Sequence, residues 1–224
     1  MDKLQAKFIF DNNPLSKKTK SHLNNVYSQM TKGLFITGIS TISSKYVFPD
    51  VVFTYLFFGF VQLWIMSHIN YSKSFNKSNY FYCYSFIQGI LLSPILNYVD
   101  NEIVLKSLLL TNILFVSLNY IAKKTDKRHT LYLFGTILTL TISMLLLSVI
   151  NMFLRSTLIF ELDIYFGLVL FSLYVIFDTQ MIIKEANEGL YDVSYHALSF
   201  HTDFINILTR TIYLLNKNKK NKKN

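Results

Sequence analysis

Long stretches of this chain contain no charged residue, and they limit what the chain can fold into. They include residues 78–99 and 130–154. A helix must be about 20 residues long to cross a hydrocarbon core about 30 Å thick, so each stretch can span a bilayer. Only 16% of the chain is charged while 51% is hydrophobic, a balance unlike that of a soluble domain. Helices satisfy their own backbone hydrogen bonds without water, so we predict an all-α, polytopic membrane protein.

Six apolar stretches and one semi-polar stretch follow a polar N-terminal region. This region covers residues 1–32 and ends in a predicted short helix over 21–32. The predicted membrane segments lie near residues 33–47, 51–69, 79–99, 103–122, 131–153, 158–183 and 196–215. We therefore predict one helical bundle over 33–215, followed by a lysine-rich tail over 216–224. The chain has one cysteine, which excludes an internal disulfide, so helix packing must hold the bundle together.

The distribution of Lys and Arg predicts the side of the membrane on which the N-terminus lies. Cytosolic loops carry an excess of these residues. The N-terminal region has six Lys and the loop at 123–128 has four Lys or Arg, whereas the alternate loops are nearly bare. The N-terminus is therefore predicted to be cytosolic. The net charge of +9 comes largely from lysines that flank spans, and these suit anionic lipid headgroups better than nucleic acid.

The side on which the C-terminal tail lies stays open. Seven full crossings would put its five lysines on the side opposite the N-terminus, whereas six crossings and a re-entrant last segment would keep them in the cytosol. The segment over 196–215 carries several ionisable side chains and is marginal as a span, so both arrangements fit the sequence.

Ionisable residues within the predicted spans gather in the last two segments. Asp178 ends a run of uncharged residues that begins at Ile164. The final segment has polar residues at helical spacing: His196, Ser199, Asp203, Asn206 and Arg210. At about 100° per residue these five form one polar stripe on an otherwise apolar helix. Such a face is not presented to lipid, so the last helix is predicted to lie at the centre of the bundle.

Two interpretations of the acidic residues are compatible with the sequence. In the functional one, Asp178 and Asp203 meet across two helices and share a proton, because adjacent carboxylates in a low dielectric do not both ionise easily. Such a pair would sense pH and gate a path for cations. In the structural one, Asp203 pairs with Arg210 or His196 on its own stripe. Asp178 then caps the loop over 184–192 at the membrane surface.

The remaining candidates are assigned structural roles. His201 lies about 140° around the helix from His196, so the two cannot bind one metal ion from one face. We predict a surface or packing role for His201, no metal site and no cofactor. Glu161 and Asp163 precede the sixth long span and are predicted to be interfacial charges. Gly167 is predicted to allow the close approach of a neighbouring helix.

The C-terminal part of the chain carries a recognisable pattern. From Phe177 the sequence reads FDTQMIIKEANEGLYDVSYHALSFHTDFINILTRTIYLL. This stretch resembles the signature of the Bax inhibitor-1 family, the transmembrane Bax-inhibitor-motif proteins, in its eukaryotic type. The rest of the chain is similar more loosely, with HLNNVY before the first span, a basic loop before LYLFG, and LDIYFGL at the sixth span.

The resemblance implies a fold, a location and a function. It implies a bundle of seven helical segments in which the last is wrapped by the other six, in the membrane of the endoplasmic reticulum. Members are associated with suppression of programmed cell death and with a pH-sensitive calcium leak. The pH-sensing carboxylate pair of relatives matches Asp178 and Asp203. The stripe residues identified from helical spacing would support this pair; they are His196, Ser199, Asn206 and Arg210. Calcium would be the permeant ion.

Three other functions are alternatives to the leak. A non-conducting membrane protein would bind partners of the death or stress pathways, such as Bcl-2-type proteins or stress sensors, through its helices and basic tail. An intramembrane aspartyl protease would need Gly-x-Gly-Asp, whereas this chain has His201-Thr202-Asp203, so we predict no enzyme activity. A seven-helix receptor is disfavoured because Cys83 has no partner for an extracellular disulfide.

Overall fold

Seven α-helices make up the described part of the chain. The computed structural model describes residues 15–47, 52–71, 76–124 and 130–221, and contains no strand within these ranges. The helices are α1 (Lys17–Val47), α2 (Val52–Tyr71), α3 (Lys77–Asn97), α4 (Asn101–Lys124), α5 (Thr130–Leu154), α6 (Thr157–Asn187) and α7 (Val193–Asn221). The predicted all-α class with seven helical segments is confirmed.

Three of these helices extend well beyond the predicted segments. The short helix over 21–32 and the first span form a single helix, α1. α6 continues to Asn187 and α7 continues to Asn221, so the predicted boundaries at residues 32 and 215 both fall inside helices. The predicted ends of the segments are the positions at which the apolar residues end, because the chain leaves the bilayer there. Backbone hydrogen bonds within a helix do not depend on hydropathy, so the helix can continue into the polar region.

Three described helices are long and apolar enough to cross a bilayer. They are α4 over Asn101–Lys124, α5 over Leu133–Leu154 and α6 over Thr157–Asn187. Many of their large apolar side chains point away from the protein interior, for example Leu145, Leu146 and Val149 of α5. Such a surface is stable against lipid and not against water. The chain is therefore a membrane protein, while six or seven crossings stay a prediction.

The helices form two compact units. The first unit contains α1, α2, α3 and the start of α7 up to Thr202. Within it, α1 and α3 approach closely, because a Cβ at Gly89 would lie 2.4 Å from the backbone oxygen of Thr37. Thr37 Oγ1 donates to the backbone oxygen of Ser85 (2.9 Å), and Ser40 Oγ donates to that of Phe86 (2.6 Å). Small residues and hydroxyl groups thus hold these two helices together.

The second unit contains α4, α5, α6 and the part of α7 from Asp203 onward. Ile137 and Met144 of α5 form a buried cluster with Leu170 of α6. α6 and α7 run antiparallel: Phe160 contacts Tyr213 at one end, with ring centroids 5.2 Å apart, and Asp178 contacts Asp203 at the other.

The semi-polar helix α7 is buried along much of its length. Its buried residues include His196, Ala197, Leu198, Phe200 and His201 in the first unit. In the second unit they include Asp203, Phe204, Ile205, Ile207, Leu208, Thr211 and Ile212. The polar stripe predicted from helical spacing therefore belongs to a helix that packs inside protein, as expected for ionisable groups in a membrane protein.

Candidate functional site

Two carboxyl groups meet in the second unit. Asp203 of α7 is 4% exposed, and Asp178 of α6 is half-buried. The two side chains form a hydrogen bond. An ionised carboxylate only accepts hydrogen bonds, so this contact requires a proton on one of the two groups. The Oδ2 atom of Asp203 has no hydrogen-bond partner, so the contact with Asp178 uses only part of its bonding capacity.

The two residues that follow Asp178 connect α6 to α4. Thr179 Oγ1 donates to Asn119 Oδ1 at 2.8 Å, and both residues are buried. Gln180 Nε2 donates to the backbone oxygen of Ala122. These bonds fix the turn of α6 that carries Asp178 and so fix the direction of its carboxyl group. The sequence analysis did not identify this role for Asn119, although an Asn within an apolar helix was a possible signal.

The structural interpretation expected Arg210 or His196 to pair with Asp203, but Arg210 has other partners. Its Nη1 donates at 3.2 Å to both the backbone oxygen and Oδ1 of Asn206, one turn earlier in α7. Its Cζ lies 4.5 Å from the ring centroid of Phe171 in α6, which is a cation–π contact. The neighbour of Asp203 is Asp178, in the middle of a helix that continues to Asn187. Asp178 therefore does not cap the loop over 184–192.

Gly167 provides the space for the Arg210 side chain. A Cβ at Gly167 would lie 2.0 Å from Arg210 Nε and 2.6 Å from Cζ. The prediction that Gly167 permits close packing of a neighbouring helix is therefore confirmed. Near this end of the helix pair, Lys217 Nζ forms an ion pair with Glu161 Oε1 at 2.6 Å.

His196 and Ser199, the other stripe residues, belong to the first unit. His196 Nδ1 lies 2.8 Å from His22 Nε2 of α1, and the two rings are 3% exposed or less. One of these nitrogens must carry the shared hydrogen. Ser199 is half-buried. The contact with His22 was not predictable from spacing, because the two residues are 174 positions apart in the chain.

Further polar contacts surround the start of α7 in the first unit. Gln29 Nε2 of α1 donates to Ser194 Oγ at 3.0 Å. Lys77 Nζ of α3 forms an ion pair with Asp192 Oδ2 at 2.5 Å. Asp192 Oδ1 in turn accepts the backbone N–H of Tyr195 at 3.0 Å, in the first turn of α7. A carboxylate there is favourable because the first N–H groups of a helix have no partner within the helix.

His201 has a packing role and is not at the surface. Its side chain is fully buried, and its Nε2 lies 2.9 Å from Thr37 Oγ1. Its ring makes edge contacts with the rings of Phe81 and Tyr84 of α3. Of the two roles predicted, packing is confirmed and a surface position is wrong. Within the described ranges, no group of three or more His, Cys, Asp or Glu residues could hold a metal ion.

Comparison with known proteins identifies the family of this chain. The sequence pattern of the family described as Inhibitor of apoptosis-promoting Bax1 matches residues 19–220. The Probable Bax inhibitor 1 of Paralichthys olivaceus is 29% identical over 228 residues, which are 96% of this chain and 93% of the relative. The Bax inhibitor 1 of Homo sapiens is 27% identical over 216 residues, with 93% and 91% covered. That of Drosophila melanogaster is 25% identical over 213 residues, with 92% and 86% covered. Because the family pattern matches nearly the whole chain, this protein belongs to the Bax inhibitor-1 family.

Proposed function

We propose that this protein suppresses programmed cell death from the membrane of the endoplasmic reticulum, where it acts as a pH-sensitive calcium leak. In this proposal its N-terminus is cytosolic, and it works without enzymatic activity or a bound cofactor. Family membership supports the role in cell death, because its relatives are named Bax inhibitors. The observation that carries the leak mechanism is the hydrogen bond between the side chains of Asp178 and Asp203.

The contact between Asp178 and Asp203 exists only while the pair holds a proton. When the last proton leaves, two negative charges face each other at hydrogen-bond distance in a site that excludes water, and their repulsion is strong. The hydrogen bond between Asp178 of α6 and Asp203 of α7 is then replaced by repulsion between the two carboxylates. A proton taken up or lost by the pair therefore changes the balance between two arrangements of α6 and α7, as a gate requires.

Calcium release from liposomes tests the gate. Wild-type protein in calcium-loaded liposomes is expected to release calcium at a rate that depends on pH. Asp203→Asn keeps a hydrogen-bond donor toward Asp178 at every pH, because an amide does not titrate. The leak of this variant is therefore expected to lose its pH dependence. Glu188→Gln is the matched control, because Glu188 is exposed just beyond the end of α6, and it should keep the wild-type profile.

Two results would reject the proposed mechanism. The same pH profile for wild type and Asp203→Asn would remove the carboxyl pair from gating. No calcium release by wild type at any pH, with correctly folded protein, would remove the leak itself.

The second candidate is a non-conducting protein that binds membrane proteins of the death or stress pathways. It is supported by the end of α7, where Lys220 is exposed on a helix that continues to Asn221. Deletion of residues 216–224 is then expected to abolish protection of stressed cells without changing any calcium flux from liposomes. Full protection after the deletion would exclude the tail as the contact with partners.

A further inference from the structure

Five buried polar atoms in the described part of the second unit have no hydrogen-bond partner. They are Ser107 Oγ and Thr111 Oγ1 of α4, Asn151 Oδ1 of α5, and Asp203 Oδ2 and Arg210 Nε of α7. Buried polar groups are nearly always paired with protein or water, and several unpaired ones in one region indicate a ligand or water that satisfies them. Ser107 and Thr111 are both 0% exposed, so their hydroxyl groups do not reach the surface.

The two hydroxyl groups lie on the face of α4 that packs against protein. The buried residues of this helix follow a regular spacing, at Ile103, Ser107, Thr111, Phe115, Asn119 and Ala122. Phe115 contacts Phe204 of α7, with ring centroids 5.7 Å apart, and Asn119 bonds to Thr179 of α6. Ser107 and Thr111 continue this face by two and one helical turns, so they point toward the same neighbouring helices.

The register between α4 and α6 sets the level of each hydroxyl group along the bundle. Asn119 bonds to Thr179 and Ala122 bonds to Gln180, so the two helices run parallel with an offset of about 60 residues. With the same offset, Ser107 lies at the level of Gly167.

Thr111 lies at the level of Phe171 by the same register. Gly167 and Phe171 are the residues of α6 against which the Arg210 guanidinium packs. The unpaired hydroxyl groups and Arg210 are therefore at the same depth in the unit, about 10 Å along α7 from Asp203.

We propose that Ser107, Thr111 and Arg210 line a path for water and cations that leads from the Asp178–Asp203 pair to the membrane face at which α4 and α6 begin. Hydroxyl oxygens can replace water around a hard cation, which prefers oxygen ligands. The fixed positive charge of Arg210 opposes the passage of cations and so limits the rate. In the form described both hydroxyl groups are fully buried, so this path is closed.

The charges around Arg210 are consistent with a regulated barrier. Its hydrogen bonds go to Asn206, which is neutral. The carboxylate of Asp163 in α6 acts on Arg210 electrostatically, and Asp163 Oδ1 accepts a hydrogen bond from Ser148 Oγ at 3.2 Å. The neighbours of the guanidinium are therefore the ring of Phe171, the side-chain amide of Asn206 and the carboxylate of Asp163. That carboxylate already accepts a hydrogen bond from Ser148. Arg210 Nε has no hydrogen-bond partner in this arrangement.

Reactivity of introduced cysteines tests the path without measuring calcium. Cys83, the single native cysteine, is first replaced by serine. Ser107→Cys and Thr111→Cys are then treated in liposomes with a cationic methanethiosulfonate, and labelling is measured by mass spectrometry. Ser117→Cys is the matched control, because Ser117 lies on the exposed face of the same helix, which lipid covers. Labelling is repeated across the pH range, because the path is closed in the form described. At the pH at which it opens, the path cysteines are expected to react roughly tenfold faster than the control, because a thiolate forms only where water reaches.

Equal, slow labelling of all three cysteines at every pH would overturn the proposed path. The proposed path rests on the proposed leak only in that calcium is the ion that passes through it. The path and the leak can therefore fail separately. Labelled path cysteines in a protein that releases no calcium would reject the leak and keep the hydrated path. Calcium release with unlabelled path cysteines would keep the leak and reject this path.

Two substitutions test the roles of the side chains in the path. Thr111→Val keeps the shape of the side chain but removes the hydroxyl group, and should lower the leak without moving its pH profile. Arg210→Gln removes the positive charge and should raise the leak, whereas Arg210→Lys keeps the charge and should restore a low rate. If Arg210→Gln and Arg210→Lys leak equally, the charge of Arg210 is not the barrier.

Discussion

Asp178 reaches Asp203 because its neighbours in the chain are bonded to another helix. Thr179 and Gln180 donate to Asn119 and to the backbone of Ala122, so α6 cannot rotate about its axis without breaking both bonds. A single carboxylate pair on two otherwise free helices could separate by a small rotation. The bonds to α4 prevent this rotation and keep the Asp178 side chain directed toward Asp203.

Loss of the Thr179 hydroxyl is expected to weaken both the fold and the gate. In Thr179→Val the buried Asn119 side chain loses a hydrogen-bond partner, at a cost of about 1–3 kcal/mol in the free energy of unfolding. The pH profile of the calcium leak should also broaden, because the direction of Asp178 is less fixed. Thermal unfolding in detergent and liposome release measure the two effects.

Ser172→Ala on the same helix is the control for Thr179→Val. Ser172 Oγ donates within α6, to the backbone oxygen of Leu168, so its loss should change little. An unaltered melting temperature and pH profile for Thr179→Val would show that the bond to Asn119 does not hold the site.

An added methyl group at Gly167 is expected to displace Arg210. In a helix, Gly→Ala alone stabilises by about 0.5–1 kcal/mol. At Gly167 the new Cβ would overlap the guanidinium, and overpacking of this kind costs about 1–3 kcal/mol, so the net effect should be destabilising. Gly135→Ala in α5 is the control, because a Cβ there meets no atom within 4 Å and should raise the melting temperature. A more stable Gly167→Ala variant would contradict the observed packing.

Spacing along one helix predicted which residues of α7 share a face, but it could not predict their partners. The stripe from His196 to Arg210 was visible in the sequence because helical periodicity is a local property. The residues bonded to it, such as His22 and Phe171, lie far away in the chain. Which of several polar groups faces another depends on tertiary packing, and a single sequence does not contain that information directly.

At the level of helices, hydropathy located every segment but placed several of their ends too early. α7 was predicted to end near residue 215, yet it continues to Asn221. Its last turns carry lysines that find carboxylates on neighbouring helices: Lys217 pairs with Glu161, and Lys219 Nζ lies 3.8 Å from Glu102 Oε2. Lysines near a helix C-terminus also interact favourably with the helix dipole. Both effects extend a helix through a polar stretch.

Removal of the Lys217 ammonium group is expected to loosen the last turns of α7. The hydrogen bond to Glu161 raises the pKa of Lys217 above its usual value of 10.5. The ion pair therefore persists throughout the neutral range and is lost as the pH rises through this raised pKa. In Lys217→Ala the backbone amides of the last turns should exchange with deuterium faster at neutral pH. Both side chains are only half-buried, so high salt should reduce the difference from wild type.

Lys220→Ala is the control for Lys217→Ala, because Lys220 is exposed on the same helix. Its exchange rates should resemble those of the wild type. Equal exchange in all three proteins at low salt would mean that the pair with Glu161 does not order the end of α7.

For the whole molecule, the contacts between α6 and α7 bear on the number of crossings. They extend from Asp178–Asp203 to Glu161–Lys217, which covers about 26 Å along α6 and about 21 Å along α7, most of the thickness of a hydrocarbon core. A re-entrant segment would enter and leave on one side and would not follow a spanning helix over this length. The second unit therefore favours α7 as a full crossing, a point that Lys and Arg counts left open.

The tail is accordingly expected to lie on the membrane face at which α4 and α6 begin. Its lysines contact Glu102 and Glu161, the acidic residues near the starts of those two helices. A tag after Asn224 and a tag inserted at Arg155 should therefore share one side in protease protection of sealed microsomes. A tag between Lys124 and Thr130 should lie on the other side, because α4 ends and α5 begins there. If the C-terminal tag and the one after Lys124 are digested together, while the one at Arg155 is protected, α7 re-enters the membrane and the ion pairs with Glu102 and Glu161 cannot form.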